Sequence, residues 1–590
     1  YTVCLVFSRM CINEEGEASS PDVAATTTTG ATTSITTVSD NGVTSIKSDT
    51  SANTTTSSDD VTQAAARGTI FTLILRIISF GCTQLTIRAL DPMTLGTNIK
   101  LELILTTILF ISREGFRLAL TQNVVPENRT VAWLTVPLVT IVSVSTLLWH
   151  TSTHGLTTDY RVAGILYCIA SWIEGCAEPA VLFFLRKLEV PPRIEGEMFG
   201  TFGKTLATAV GLRMLPSSWS VTVFGLAQLV YALTYALYLY GRAWSRPDWK
   251  EIGLPPSWSL FEFWKQLDLN TCYITLVYTV QGFFKHLLTE ADKIMLTTMT
   301  DSYDQGVYAM GSAYGGLAAR ILLQPLEENA RLLWSRLASN FDKSREDQQQ
   351  LLRSYTTLVK LVLYVGLVFS CVAVHYTSLV LNLLAGRTWG SNAEAADVLA
   401  AFCIYTAFLA LNGMTEAFVY AVGGGKSAAA EMTKLGFVHT ITGLIFAVAA
   451  SILVGHIGTL GLVAANCLAM LIRSLYSLYF ATRYFSSVVD ERRLALLSKI
   501  CPHPVVLAGF AIAWLATRSS LQTLAQNDLH LRLDIRNIDW LLQTGKHVAL
   551  GIMCVIGIAF LVVTLERSFI KSLNEMVRLR GSKRQRSKQD

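Results

Sequence analysis

From residue 68 onward the chain alternates between long apolar runs and short, dense polar clusters. The runs last roughly 17–25 residues, the helix length needed to cross about 30 Å of hydrocarbon. A window of roughly 19 residues places about fourteen membrane spans along this part of the chain. They fall near 68–90, 99–118, 131–150, 161–185, 198–215, 220–240, 270–290, 305–326, 359–383, 397–420, 436–454, 459–481, 503–521 and 547–565. The pattern predicts an all-α, polytopic membrane protein. Residues 1–67 contrast with it. They hold Thr/Ser tracts such as Thr26–Thr29 and Thr54–Ser58, and too few large apolar side chains to offset ordering entropy. That segment reads as disordered. Its apolar patch Tyr1–Ile12 is interrupted by Arg9 and short for a signal peptide.

The polar clusters carry the orientation. Connections after even-numbered spans are basic: Arg186, Lys187 and Arg193; Arg242, Arg246, Lys250 and Lys265; Arg331, Arg336, Lys343, Arg345 and Arg353; Arg483, Arg492, Arg493 and Lys499. Connections after odd-numbered spans are poor in Lys and Arg except the last, with Arg518, Arg532 and Arg536. The tally, about 19 against about 8, puts the even side in the cytosol by the positive-inside rule. An even number of spans then places both termini there. The basic tail, with Arg567, Lys571 and Lys588 among its charges, agrees. In this topology the sequons at Asn53 and Asn128 lie on the cytosolic side and go unused. Arg586 and Lys588 stand fifth and third from the end, like a dilysine retrieval signal, or simply a positive-inside tail.

Composition narrows the class. The chain is 51% hydrophobic and 15% charged, against about 25% charged in soluble domains. The formal charge of +5 gives no support to a nucleic-acid partner. Eleven cysteines are scattered, many of them in apolar runs, with no C-x-x-C pair. No metal or cofactor site follows from them. Gly423-Gly424-Gly425-Lys426-Ser427 resembles the end of a phosphate-binding loop, but Tyr420 stands where its first glycine is needed. His150 and His154 lack the His-Glu-x-x-His context of a zinc site. Trp244, Trp249, Trp258 and Trp264 flank spans and read as interfacial anchors. With no nucleophile motif either, the chain does not read as an enzyme.

Charges inside the spans are the candidate chemistry. Each costs about 2.5–3.5 kcal/mol at the bilayer centre and persists where it faces protein, water or a partner. The plainer reading of any one is snorkelling or a buried pair that fixes packing. The functional reading is a hydrated central cavity that binds an anionic headgroup. Its candidate lining is Arg88, Arg113, Glu114, Arg117, Glu174, Glu178, Glu290, Lys293, Arg320, Gln324, Glu327, Glu328, Asn412 and Glu416. Arginine's planar fork suits diphosphate oxygens. On that ground Arg88, Arg113 and Arg117 are placed together near the diphosphate path. Glu174 and Glu178, an i, i+4 pair, suit those arginines or sugar hydroxyls.

The chain also reads as two related halves. Glu114-x-x-Arg117 and Glu328-x-x-Arg331 lie 214 residues apart, each after a helix opened by Gly96 or Gly306. Transporters built from internal repeats place the substrate path between two lobes. The division is 1–67 disordered, 68–240 N-lobe, 241–269 cytosolic linker, 270–481 C-lobe, 482–565 two further helices and 566–590 basic tail.

Four stretches resemble the Rft1 family of oligosaccharide-lipid translocation proteins, in the multidrug/oligosaccharidyl-lipid/polysaccharide flippase superfamily. The first is Leu109–Arg117. The second is Ile173-Glu174 with Ala177-Glu178-Pro179. The third joins His286–Glu290, Gln305–Tyr308 and Leu323–Glu328. The fourth is Leu411–Phe418. The resemblance implies two six-helix lobes around a central cavity plus two helices, in the endoplasmic-reticulum membrane. It implies a Man5GlcNAc2-diphosphodolichol substrate, a place in protein N-glycosylation, membrane lipids as surroundings and no cofactor. The Thr/Ser-rich extension departs from the family, and Lys293 stands where arginine is expected. A translocator and an accessory protein that shelters the same lipid both fit. A lumenal glycosyltransferase would need a larger loop than 91–98 after the first span. A multidrug exporter shares the fold.

Overall fold

The computed structural model describes residues 90–586 apart from short breaks within 123–128, 154–156, 188–190, 250–266, 340–344, 423–427, 489–492 and 527–537, together with positions 81, 84, 87 and 88. The chain divides into two units, Tyr1–Thr83 and Gln84–Asp590, and the second is the one described here. The Thr/Ser-rich segment, Asn53, Asn128, His154, the Gly423–Ser427 turn, Trp258, Trp264, Lys588 and most of the first predicted span lie outside the described residues.

Every regular element among the described residues is helical. The α-helices of eight residues or more are, in chain order, α1 Pro92–Gln122, α2 Thr135–Ser152, α3 Thr158–Cys176, α4 Glu178–Arg186, α5 Pro191–Met214 and α6 Ser220–Trp244. Then come α7 Leu269–Thr289, α8 Ala291–Met299, α9 Ser302–Ala318, α10 Gln324–Ser339, α11 Arg345–Cys371, α12 Thr377–Leu384 and α13 Ala393–Val422. The last are α14 Ala428–Ile457, α15 Thr459–Val488, α16 Arg493–Ile500, α17 Pro504–Gln526, α18 Ile538–Leu565 and α19 Arg567–Arg586. Among the described residues, ten helical stretches are long and apolar enough to cross a membrane. They match ten of the predicted spans. The predicted spans at 198–215, 270–290 and 305–326 are helical too, as α5, α7 and α9, but fall outside that ten. Polar residues lower their hydropathy: Glu195, Glu197 and Lys204 in α5, Lys285 and His286 in α7, Asp304 in α9.

Three spans are broken, each where the sequence gives a cause. Pro179 in the first turn of α4 cannot donate to the preceding turn, so the predicted 161–185 span divides at Ala177. The predicted 270–290 span does not end at Glu290 but turns there and resumes as α8. Between α9 and α10 the turn Ala319–Leu323 is π-helical, a wide turn that re-aims the side chains beyond it. Carboxylates anchor several starts. Asp159 accepts from the Val221 and Thr222 backbone N–H groups at 3.0 and 2.7 Å, capping α6. Asp301 caps α9 through the Asp304 N–H at 2.9 Å.

α1 and α9 cross at two glycines in a reciprocal way. A Cβ on Gly96 would overlap the Ser302 carbonyl, and one on Gly306 would overlap the Pro92 carbonyl. Residues 92 and 96 thus meet 306 and 302, a close antiparallel crossing. Lys100 adds a hydrogen bond to the Ser302 hydroxyl at 3.1 Å.

One anchor differs from expectation. Trp244 is exposed, but Trp249 is buried at 2% exposure against Phe183 and Tyr240. The chain folds over its ring at Gly253, where a Cβ would strike the indole.

Candidate functional site

Among the described residues, most of the candidate charges gather in three clusters, with one outlier. The outlier is Arg88. Its Nε and Nη2 donate to the carbonyls of Leu384 and Leu383 at 2.7 and 2.6 Å. These are the last carbonyls of α12, which lack partners within their own helix and attract a cation. Arg113 stands near the other end of α1, about 30 Å away at 1.5 Å per residue. Arg88 therefore cannot share one diphosphate with Arg113 and Arg117, as the sequence reading had placed it.

The first cluster joins α1 to α3 and α4. Arg117 donates through Nε and Nη2 to Glu178 Oε1 and Oε2 at 2.5 and 2.8 Å. Both side chains are nearly sealed, at 7% and 1% exposure. Arg113 Nη1 donates to Glu174 Oε1 at 2.9 Å, and its side chain keeps 20% exposure. Positions 113 and 117 are one helical turn apart, as are 174 and 178, so two parallel pairs form. Glu178 opens α4, where free backbone N–H groups favour a carboxylate. Glu114, half-buried, interacts electrostatically with Arg117.

The second cluster lies deeper along α1. Glu102 is within electrostatic reach of Lys204 on α5 and Lys293 on α8. Lys293 Nζ also donates to Glu290 at 2.6 Å across the break between α7 and α8. One turn back, His286 stacks on Phe110 at 4.4 Å and meets the Thr107 hydroxyl at 3.4 Å. Four elements thus converge on one band of acids, lysines and a histidine.

The third cluster joins α10, α13, α14 and α15. Glu327 fills the space above Gly413, where a Cβ would overlap its carboxylate. Glu416 accepts from Asn412 Nδ2 at 3.0 Å and from the Tyr420 hydroxyl at 3.2 Å. His439 Nε2 lies 3.0 Å from Glu416 Oε1. Arg473 interacts electrostatically with Glu416. Two buried polar atoms here, Asn412 Oδ1 and Arg473 Nε, have no hydrogen-bond partner among the described residues. Gln324 is half-buried at the start of α10, and Glu328 is exposed. Arg320 belongs to the π-helical turn, and its side chain lies outside the described residues.

Glu102, Lys204, His439 and Arg473 were not among the sequence candidates. Each falls inside a predicted span, so a census of every titratable residue there would have found them. A second repeat also went unread: Glu174-Gly175-x-x-Glu178 recurs as Asn412-Gly413-x-x-Glu416, 238 residues on.

The family model described as Rft protein matches residues 61–576. The Man(5)GlcNAc(2)-PP-dolichol translocation protein RFT1 of Mus musculus is 27% identical over 544 residues, covering 86% of this chain and 95% of its own. The protein of the same name from Xenopus tropicalis is 25% identical, over 84% and 93%. Among solved structures, the lipid II flippase MurJ in an inward closed conformation superposes with a TM-score of 0.52 at 10% identity. It covers 84% of this chain and 99% of that one, so the two share a fold. The chain belongs to the Rft protein family.

Proposed function

We propose that the protein moves Man5GlcNAc2-diphosphodolichol from the cytosolic to the lumenal leaflet of the endoplasmic reticulum, for N-glycosylation, without a covalent step. The observation that carries this reading is the likeness over 86% of the chain to a protein named for translocating that lipid. The intramembrane clusters supply the chemistry. A polar heptasaccharide crossing hydrocarbon would leave its hydroxyls without partners. Acids, amides and lysines on α1, α5, α8 and α13 offer them, while dolichol stays in lipid.

In this reading fourteen spans form two pseudo-symmetric six-helix lobes, 68–240 and 270–481, followed by two further helices. The α1–α9 crossing at Gly96 and Gly306 marks the axis between the lobes. Both termini are cytosolic. The diphosphate meets Arg113, whose remaining donors stay accessible, together with Lys204 and Lys293. Arg117 does not take part, because Glu178 occupies its fork. Asn412 Oδ1 and Arg473 Nε await sugar hydroxyls. Glu114, Glu290, Gln324, Glu327, Glu328 and Glu416 line the sugar path.

The test is reconstitution. Purified protein goes into vesicles holding labelled glycolipid in both leaflets, and a membrane-impermeant sugar-modifying reagent is added outside. Translocation makes the whole pool reactive, where half reacts without protein. If half remains protected with folded protein present, the chain does not itself translocate. Its role is then that of an accessory protein for the same lipid.

A further inference from the structure

α18 differs from the other spans in how little of it the protein covers: 11% of its most apolar window is buried. Ile552, Ile556, Phe560 and Val563 form an exposed stripe at helical spacing down one side. The stripe does not stop at the end of the span. It continues into α19 as Arg567, Lys571 and Asn574, at the same spacing. Where the two helices meet, a groove of 360 Å³ is lined by Val563, Arg567, Ile570, Lys571, Asn574 and Glu575. Arg567 and Lys571 are exposed and form no ion pair with a described residue.

The turn that shapes this groove is fixed from behind. Glu566, the residue between the helices, accepts from Lys360 Nζ at 2.9 Å, the Tyr364 hydroxyl at 3.0 Å and the His503 N–H at 2.9 Å. Phe569 is buried, with its ring 5.6 Å from that of Tyr364. The cations are therefore held where a lipid-facing helix leaves the hydrocarbon.

We propose that the α18–α19 junction binds an anionic glycerophospholipid, with phosphatidylinositol the headgroup that its lining fits. Charge complementarity chooses the occupant. Arg567 presents a fork to the phosphodiester and Lys571 a second cation. An acyl chain lies along Val563, Phe560 and Ile556. Asn574 and Glu575 face the rest of the headgroup. The Glu575 carboxylate accepts from hydroxyls and repels a headgroup that is phosphate alone, so phosphatidylinositol is preferred to phosphatidic acid. The site lies apart from the three charge clusters and stands independently of the translocation reading.

The test uses the full chain in phosphatidylcholine nanodiscs doped in turn with phosphatidylinositol, phosphatidylserine or phosphatidic acid. Lipid retained by the protein is read by native mass spectrometry. Arg567→Gln and Lys571→Gln should each weaken phosphatidylinositol retention about fivefold. Arg567→Lys should keep most of it, and Glu575→Gln should narrow the preference over phosphatidic acid. Thermal unfolding of each variant shows that the chain is folded. Unchanged retention in the folded double variant Arg567→Gln, Lys571→Gln would overturn the site. Equal retention of all three anionic lipids by the wild type would overturn the headgroup assignment.

Discussion

The two glutamate–glycine repeats, 174–178 and 412–416, hold their glutamates in opposite electrostatic company. In the first, Glu174 and Glu178 face Arg113 and Arg117 in two closed pairs. In the second, Asn412 replaces Glu174, and the position that matches Arg113 by the 214-residue offset is Glu327. An acid there sits against Gly413, near a second acid, Glu416. The basic side chains around that site, His439 and Arg473, come from other helices, α14 and α15. Burying a charge is tolerable when geometry and hydrogen bonds match it, and removing one partner exposes the full penalty. The first cluster therefore works as a clamp between α1 and the α3–α4 break. The third cluster, which holds the second repeat, leaves polar atoms unsatisfied at a cost of about 1–3 kcal/mol each. Such atoms are tolerated where a polar partner comes and goes.

The largest expected effect follows from the clamp. Arg117→Ala leaves Glu178 buried at 1% exposure without its bidentate partner. Stability should fall by about 3–5 kcal/mol, read as a lower unfolding temperature of the purified protein and lower abundance in cells. Replacing the pair together, Arg117→Met with Glu178→Leu, should restore most of it. Arg117→Ala with unchanged stability would remove the contrast between the clusters, since the first would then be no more locked than the third.

Next come the two glycines. A Cβ on Gly175 would press on the Val139 side chain, whereas one on Gly413 would press on the Glu327 carboxylate. Overpacking costs about 1–3 kcal/mol in either place. The difference lies in rescue. Gly175→Ala should be relieved by Val139→Ala, which restores stability. Gly413→Ala should be relieved by Glu327→Asp, which draws the carboxylate back by one methylene while keeping its charge. Thermal unfolding of the single and double variants checks both. If Glu327→Asp fails to help Gly413→Ala, the carboxylate is not what occupies that space.

The membrane class, ten of the spans and the arginine–glutamate pairing were legible in the sequence, because each rests on local rules. Apolar runs of span length read directly, and an i, i+4 pair of arginines calls for an i, i+4 pair of acids. What could not be read was depth and partner. Arg88 and Arg113 look adjacent along the chain, yet α1 carries them to opposite ends of the bundle. Glu102 comes within electrostatic reach of Lys204 on α5 and Lys293 on α8, a proximity that no local spacing encodes. Helices α5, α7 and α9, predicted as spans, are less apolar than the ten, and Lys204 of α5 and His286 of α7 have partners on α1. The glycine crossing of α1 and α9 was visible as two glycines at matching places, but their contact with each other was not.

A smaller effect separates the halves by exchanging their residues. Glu174→Asn gives the first repeat the residue of the second and removes the carboxylate that Arg113 meets at 2.9 Å. Arg113 keeps access to water, so the loss should stay near about 1–2 kcal/mol, below that of Arg117→Ala. Asn412→Glu makes the reverse exchange and brings a third acid beside Glu416 and Glu327. It should lower glycosylation of a reporter protein more than it lowers unfolding temperature. Equal damage to stability from both exchanges would mean that the third cluster is as structural as the first.

The smallest expected change in stability, and the sharpest test of function, is Arg113→Lys. Lysine keeps the positive charge opposite Glu174 but loses the planar fork, so it can hold Glu174 or a phosphate oxygen, not both in fixed geometry. Stability should change by less than about 1 kcal/mol, since the pair survives and the side chain is 20% exposed rather than sealed. Translocation should fall by up to about tenfold, the factor that one lost charge-assisted hydrogen bond supplies. The measurement is reporter glycosylation beside protein abundance in cells where this copy is the sole source. Normal abundance with underglycosylated reporter assigns Arg113 to the substrate path and Arg117 to the clamp, though both stand on one face of α1. Normal glycosylation in Arg113→Lys and in Arg113→Ala alike would move Arg113 into the clamp as well. The diphosphate would then fall to Lys204 and Lys293, the cations of the second cluster.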